Sequence, residues 1–180
     1  MGSTKNISLC GIFIALIIIG AFIKIPVPVV PFTLQYLFTM LAGLILGKKR
    51  GSFCVLVYIF MGLLGLPVFA EGGGFYYILK PSFGYLIGFA VGAYITGAIG
   101  YGKSDLKTIL LANFAGLAVV YIMGMVYYYI ISNFYLNNPI GIWPLFLYCF
   151  LLAVPGDIAL CILAGVLAKR LVPVLSIERA

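Results

Sequence analysis

The sequence predicts an all-α integral membrane protein, with six transmembrane helices in one compact bundle and both termini in the cytoplasm. Of its 180 residues, 64% are hydrophobic and only 8% are charged, and the mean hydropathy is +1.23. The apolar runs are long, and they lack the alternation typical of a membrane β-barrel. We expect one transmembrane domain over 1–180, with helices at about 7–24, 36–47, 52–66, 83–100, 108–131 and 145–171.

The basic residues are distributed unevenly over this topology. Lys24 and Lys80 fall outside when the N-terminus is placed in the cytoplasm. This asymmetry is the positive-inside bias of a multi-pass membrane protein. It accounts for the net charge of +7 without nucleic acid as a partner, because no basic stripe is interleaved with exposed aromatic residues. The basic residues on the cytoplasmic side are Lys5, Lys48, Lys49, Arg50, Lys103, Lys107, Lys169, Arg170 and Arg179.

Cysteine and histidine usage argues against metal chemistry. The four cysteines lie inside apolar runs without paired spacing, so we interpret all of them as small hydrophobic residues. The sequence contains no histidine, which removes the commonest metal ligand and general base. We therefore expect no metal site, no cofactor and no catalytic residue. The cysteines are Cys10, Cys54, Cys149 and Cys161.

The first predicted helix carries Gly11 and Ala15 on one face. Small residues four positions apart allow helices to approach closely in a bilayer, where packing drives their association. One interpretation is a docking face for a partner membrane subunit. The alternative is packing inside the bundle.

Two loops on the predicted outer side have unusual compositions. The segment 24–35 contains Pro26, Pro28 and Pro31, which exclude a helix and favour an extended chain. It is apolar enough to fold back over the bundle with Thr33 and Gln35 as hydrogen-bonding groups, although a rigid interfacial turn is the alternative. The second loop, 68–77, holds three consecutive glycines between aromatic residues. It lacks the ending of a phosphate-binding loop, and we expect a mobile loop or one that covers a ligand.

Asp157 is the central candidate for function. The chain has four acidic residues, and Asp157 is the one placed within a predicted membrane helix. A carboxylate at that depth costs several kcal/mol unless it has a partner, so it marks a functional site by default. Pro155 and Gly156 precede it and predict a kink in the helix at that point.

Together these features predict an apolar pocket that opens outward beneath the unusual loops, with Asp157 on its wall. Such a pocket suits a small, largely apolar ligand with a few hydrogen-bond donors. The chain contains no ATPase motif, no series of membrane carboxylates and no duplicated half. A binding subunit that takes its energy from other subunits is the natural interpretation.

Six short segments are spread along the chain in a fixed order: VPFTLQ at 30–35, AGLILG at 42–47, GLLGLPVFA at 62–70, GGG at 72–74, PSFGYLIGF at 81–89 and PGD at 155–157. By these segments the sequence resembles the BioY-type biotin-binding S components of energy-coupling factor (ECF) vitamin transporters. The resemblance implies a six-helix S-component fold in a prokaryotic cell membrane and an outward-facing biotin site. It also implies a complex with a transmembrane coupling subunit and two cytoplasmic ATPase subunits.

By this resemblance the family's helix-one interface corresponds to Gly11 and Ala15. Biotin has two ureido N–H groups suited to Asp157 and an apolar ring and chain suited to aromatic walls, and we assign its carboxylate to Lys80. One departure concerns position 160, where the family often has lysine and this chain has Leu160. Asp157 then either accepts from a ligand N–H or carries a proton when the site is empty. The substrate-binding residues implied are Phe32, Thr33, Gln35, Phe69, Gly73, Gly74, Lys80, Tyr85 and Asp157.

Four other functions stay open at this point. The chain is alternatively an S component for another small vitamin or a carrier that works without partners. A small intramembrane enzyme using Asp157 is weakened by the absence of histidine and of a second membrane carboxylate. A structural subunit without a ligand leaves both unusual loops unexplained.

Overall fold

The computed structural model describes residues 3–25 and 32–177, and most of them are helical. A β-hairpin whose strands have two residues each lies between the first two helices. A 3-10 turn at Phe75–Leu79 precedes the fourth helix. The strands of the hairpin are β1 (Lys24–Ile25) and β2 (Phe32–Thr33). The helices are α1 (Ser3–Phe22), α2 (Gln35–Leu46), α3 (Lys48–Leu63), α4 (Phe83–Gly100), α5 (Leu106–Ile130), α6 (Ile142–Phe146) and α7 (Val154–Ile177).

Three helical stretches of the described chain are long and apolar enough to cross a membrane: Phe83–Gly100, Leu106–Tyr135 and Ile142–Pro173. Two shorter helices, Asn6–Phe22 and Gln35–Leu46, are also apolar. The helical class expected from composition is therefore confirmed, whereas a count of six spans stays a prediction.

Helix α2 is the central element of the bundle. It contacts α1, α3, α4, α5 and α7, and nearly all of its residues are buried. Its 12 residues extend over about 18 Å, which is shorter than the ~30 Å apolar thickness of a bilayer. Its first residues, Gln35 and Tyr36, line a cavity whose other walls include residues of α4, α5 and α7.

Glycines allow the helices around α2 to approach closely. A Cβ atom at Gly43 of α2 would lie 2.5 Å from the carbonyl oxygen of Ala93 in α4. A Cβ atom at Gly97 of α4 would lie 2.6 Å from the backbone nitrogen of Lys48. Backbone atoms cannot move aside as a flexible side chain can, so these contacts require glycine.

We expect Gly97→Ala to destabilise the purified protein by about 1–3 kcal/mol, the usual cost of overpacking a close contact. The measurement is the thermal unfolding midpoint in detergent. Gly11→Ala is the matched control, because a Cβ atom there has nothing within 4 Å and alanine favours the helix. A midpoint for Gly97→Ala at or above that of Gly11→Ala would contradict this packing.

The two ends of the bundle differ in charge. One end, which we call the basic end, carries residues 48–50 at the α2–α3 turn, and Lys103 and Lys107 at the α4–α5 turn. Asp105 in the second turn caps α5 by accepting a hydrogen bond from the Thr108 N–H at 3.0 Å. Hydrogen bonds from Thr108 lower the pKa of the exposed Asp105 carboxyl. Asp105 is therefore the N-cap of α5. The opposite end, which we call the hairpin end, carries β1, β2 and residues 64–82.

The last predicted helix, 145–171, is interrupted. A π-helical turn at Leu147–Leu151 follows α6, and the regular helix resumes only at Val154. The break therefore lies at 152–153, whereas the sequence predicted a kink at Pro155. Proline fits the first turn of a helix, where its missing N–H has no intrahelical partner, so Pro155 follows the break.

The interpretation of all four cysteines as isolated hydrophobic residues is wrong for two of them. Cys10 and Cys54 form a disulfide that joins α1 to α3, with Cα atoms 5.7 Å apart. Cys149 and Cys161 are free and buried, as expected. The two cysteines are 44 residues apart in sequence, and they come into contact only because α1 packs on α3. The spacing alone therefore could not predict the disulfide.

The prolines of the first unusual loop, at positions 26, 28 and 31, lie outside the described residues. The residues that flank them pair as antiparallel strands, with Lys24 opposite Thr33 and Ile25 opposite Phe32. This pairing brings Thr33 and the start of α2 to the hairpin end of the bundle.

Candidate functional site

A cavity opens at the hairpin end between the N-terminus of α2 and helices α4, α5 and α7. It encloses about 730 Å³, including the part open to solvent. Its walls are mainly aromatic and aliphatic, with a few polar groups, which is typical of a small-molecule site. The lining residues are Phe32, Thr33, Gln35, Tyr36, Ala70, Tyr77, Ser82, Tyr85, Leu86, Phe89, Leu117, Val120, Tyr121, Tyr148, Cys149, Ala153 and Asp157.

Asp157 contributes the carboxylate of this cavity from the first turn of α7. The start of a helix favours a negative charge, because its free N–H groups form the positive end of the helix dipole. The Tyr121 hydroxyl of α5 donates a hydrogen bond to Asp157 Oδ2. No lysine or arginine in the described chain forms a salt bridge with Asp157. A neutral donor therefore supports this carboxylate.

A chain of hydrogen bonds connects the hairpin to the loop that follows α3. The Thr33 hydroxyl donates to Gln35 Oε1 at 3.2 Å, and Gln35 Nε2 donates to the Tyr58 hydroxyl at 2.5 Å. The Tyr58 hydroxyl donates in turn to the Val68 carbonyl at 3.2 Å. Thr33 and Gln35 are both buried, so this network fixes their side chains at the cavity wall.

Two predicted aromatic residues, Phe32 and Tyr85, form separate parts of the wall. A Cβ atom at Gly156 would lie 2.6 Å from the Phe32 ring, so the ring rests directly on the start of α7. Tyr85 packs in the same manner over Gly124 of α5, and its hydroxyl donates to the Cys149 carbonyl at 3.2 Å. Glycine at these two positions thus determines where the aromatic walls stand.

Three predicted site residues do not line the cavity. Phe69 is almost fully buried behind the wall, where its ring contacts Tyr77 with 4.4 Å between ring centroids. The Gly74 N–H donates to the Gly62 carbonyl at 2.7 Å, and Gly73 packs against the Leu66 carbonyl. The glycine-rich loop is held on the end of α3, and its neighbour Ala70 reaches the cavity instead.

Lys80, the expected partner of a ligand carboxylate, is also absent from the cavity wall. Its ammonium group lies 2.9 Å from a carboxylate oxygen of Glu71 and 4.9 Å from the centroid of the Tyr77 ring. Tyr77 itself lines the cavity. Burial raises the pKa of Tyr77 to about 12, and the nearby Glu71 carboxylate adds to the shift. The phenol is therefore neutral at physiological pH.

Sequence reasoning missed several tyrosines that line the cavity. Tyr36 begins α2 beside Gln35, and its hydroxyl donates to the Asn113 carbonyl at 2.9 Å. Tyr121 lies in the second half of α5, six residues before the run of three tyrosines at 127–129. A polar aromatic residue within an otherwise apolar span was the signal available for Tyr121.

The candidate partner face on α1 is separate from the cavity. Gly11 and Ala15 are exposed on the surface of α1, together with Ile12 and Ile19. A Cβ atom at Gly11 would contact nothing within 4 Å. The alternative of close packing inside the bundle therefore does not hold for Gly11.

Comparison with known proteins gives concordant matches. The family model described as "BioY family" matches residues 1–177. A probable biotin transporter BioY of Lysinibacillus sphaericus is 44% identical over 180 residues, which cover 99% of this chain and 92% of that protein. A probable biotin transporter BioY of Pyrococcus horikoshii is 38% identical, with 93% and 96% covered. The crystal structure of the S-component for biotin from an ECF-type ABC transporter superposes with a TM-score of 0.67 at 30% identity, covering 95% of this chain and 94% of that one.

Proposed function

The chain belongs to the BioY family, and we propose that it is the biotin-binding subunit of an ECF-type vitamin importer. Its relatives are transport proteins, and the chain is a transport subunit rather than an enzyme. This assignment removes Asp157 from any catalytic role and leaves it a role in binding.

The observation that carries the proposal is the Tyr121–Asp157 pair on the wall of a largely apolar cavity. Tyr121 occupies Oδ2 of the carboxylate, and we assign Oδ1 to an N–H group of the ureido ring of biotin. A hydrogen bond to an ionised acceptor is roughly twice as strong as one between neutral groups. The apolar thiophane ring and aliphatic chain then lie against walls such as Phe32 and Tyr85.

We propose that the hairpin end faces the outside and that six helical segments span the membrane. The basic end carries Lys48, Lys49, Arg50, Lys103 and Lys107, and the positive-inside bias assigns such an end to the cytoplasm. Both termini are then cytoplasmic, and biotin enters the cavity from outside.

The energy for transport comes, in this proposal, from a transmembrane coupling subunit and two cytoplasmic ATPase subunits. The chain itself has no nucleotide-binding loop. We assign contact with the coupling subunit to the exposed face of α1 around Gly11 and Ala15, because small residues allow a second helix to pack closely. Uptake measured with and without the coupling module distinguishes this assembly from a carrier that works alone.

Isothermal titration of the detergent-purified chain with biotin tests the binding function. We expect saturable binding, and riboflavin and thiamine titrated in parallel are expected to give no heat of binding. Biotin giving no saturable signal would refute the proposal, and tighter binding of another vitamin would reassign the substrate.

We expect Tyr121→Phe to weaken biotin binding by about 1 kcal/mol, or roughly fivefold, because Asp157 loses the hydroxyl that orients it. Titration calorimetry of the purified variant measures the change. Tyr94→Phe removes the same hydroxyl from a tyrosine that lies against Lys48, outside the cavity, and is expected to leave the affinity unchanged. Equal affinities of the two variants would show that Tyr121 does not support the site.

A further inference from the structure

We propose that Lys24 is the cationic group that recognises the carboxylate of the ligand at the mouth of the cavity. The inference rests on the proposed biotin-binding function and deepens it, because it concerns how an acid is distinguished from its neutral analogues.

The hairpin places Lys24 beside the cavity. Lys24 of β1 lies directly opposite Thr33 of β2. Residues that face each other in an antiparallel pair project their side chains from the same face of the sheet. Thr33 lines the cavity, so the side chain of Lys24 starts next to a lining residue.

The far end of the side chain also lies beside the cavity. The Lys24 ammonium group donates to the Ala70 carbonyl at 2.8 Å, and Ala70 of the glycine-rich loop lines the cavity. Both ends of Lys24 thus adjoin lining residues, and the side chain bridges the hairpin and the loop. Its ammonium group is exposed, so a ligand can reach it.

Charge distinguishes Lys24 from the other lysine at this end. Lys80 forms an ion pair with Glu71, which is the residue after Ala70. Lys24 bonds to a neutral carbonyl, and within residues 3–25 and 32–177 it has no carboxylate partner. The charges of Glu71 and Lys80 offset each other, so the positive charge left at the mouth belongs to Lys24. A ligand carboxylate is attracted to it without having to displace an existing carboxylate.

The two ends of the site then complement the two ends of biotin. Asp157 accepts from the ureido group inside the cavity, and Lys24 donates to the carboxylate at the mouth. An exposed ion pair contributes modestly to affinity, so Lys24 serves mainly to select for acids. We expect wild-type protein to prefer biotin over biotinamide, its uncharged amide, by about fivefold.

The test compares the affinities for biotin and biotinamide by titration of detergent-purified full-length variants. Lys24→Met removes the charge and also the bond to Ala70, and the loss of that bond affects both ligands alike. The ratio of the two affinities therefore isolates the charge. We expect this ratio to fall to about one in Lys24→Met and to persist in Lys24→Arg. Raising the salt concentration from low to about 1 M is expected to reduce the wild-type ratio as well.

The double variant Glu71→Gln/Lys80→Met provides the discriminating control, because it removes the ion pair and keeps the net charge at the mouth. We expect it to retain the preference for the acid. Loss of the preference in this variant, or its persistence in Lys24→Met, would overturn the assignment of Lys24. Failure of the wild-type protein to bind either compound would instead overturn the proposed function and this inference with it.

Discussion

Replacing Asp157 by asparagine is expected to weaken biotin binding by about 2 kcal/mol, or roughly 30-fold. Asparagine keeps the shape of the side chain, accepts through its amide oxygen, and loses the negative charge. The ligand N–H then forms a neutral hydrogen bond instead of a charge-assisted one. Titration calorimetry of the purified variant measures the difference. Asp157→Leu is expected to bind more weakly still, because it removes both acceptors and leaves the Tyr121 hydroxyl without its partner.

Asp105→Asn is the matched control for this substitution. It makes the same chemical change at an exposed helix cap on the basic end, and asparagine caps a helix about as well as aspartate does. Its fold stability and its biotin affinity are both expected to match the wild type. An unchanged affinity of Asp157→Asn would remove Asp157 from the site, whereas equal losses in both variants would indicate a general effect of lowering the negative charge.

The sequence predicted Asp157 because burying a carboxylate in a membrane is costly, and that argument needs no knowledge of packing. The position of Tyr121 required the structure. Tyr121 is one of four tyrosines in α5, and the rotation of α5 about its axis determines which of these four faces the cavity. A helix with apolar residues on every face has no amphipathic pattern from which that rotation can be inferred.

Composition indicated which loops are unusual, and contacts determined what those loops do. Three glycines in a row predict a close approach of the backbone, and in the structure that approach is to the end of α3. Gly73 and Gly74 therefore position Ala70, which reaches the cavity. The charge of Lys80 was visible in the sequence, but its ion pair with Glu71 depends on the turn at Phe75–Leu79 that brings the two residues together.

Leucine at Gly11 and Ala15 is expected to abolish assembly with the coupling subunit and to leave biotin binding intact. Both positions lie on an exposed face of α1, and α1 contributes no residue to the cavity wall. A leucine side chain holds a second helix away from a surface that accommodates it only when the residues there are small. Co-purification of the coupling subunit with the tagged double variant measures assembly, and titration with biotin measures the site.

The control for this variant is Ala118→Leu, which adds the same bulk at an exposed alanine of α5. Helix α5 packs on α4 and α7, so Ala118 belongs to a surface apart from α1. We expect Ala118→Leu to co-purify the coupling subunit in normal yield. Intact co-purification with Gly11→Leu/Ala15→Leu would refute α1 as the docking face. Loss of biotin binding in the same variant would show that the α1 surface and the cavity are coupled, because the substituted side chains do not reach the ligand.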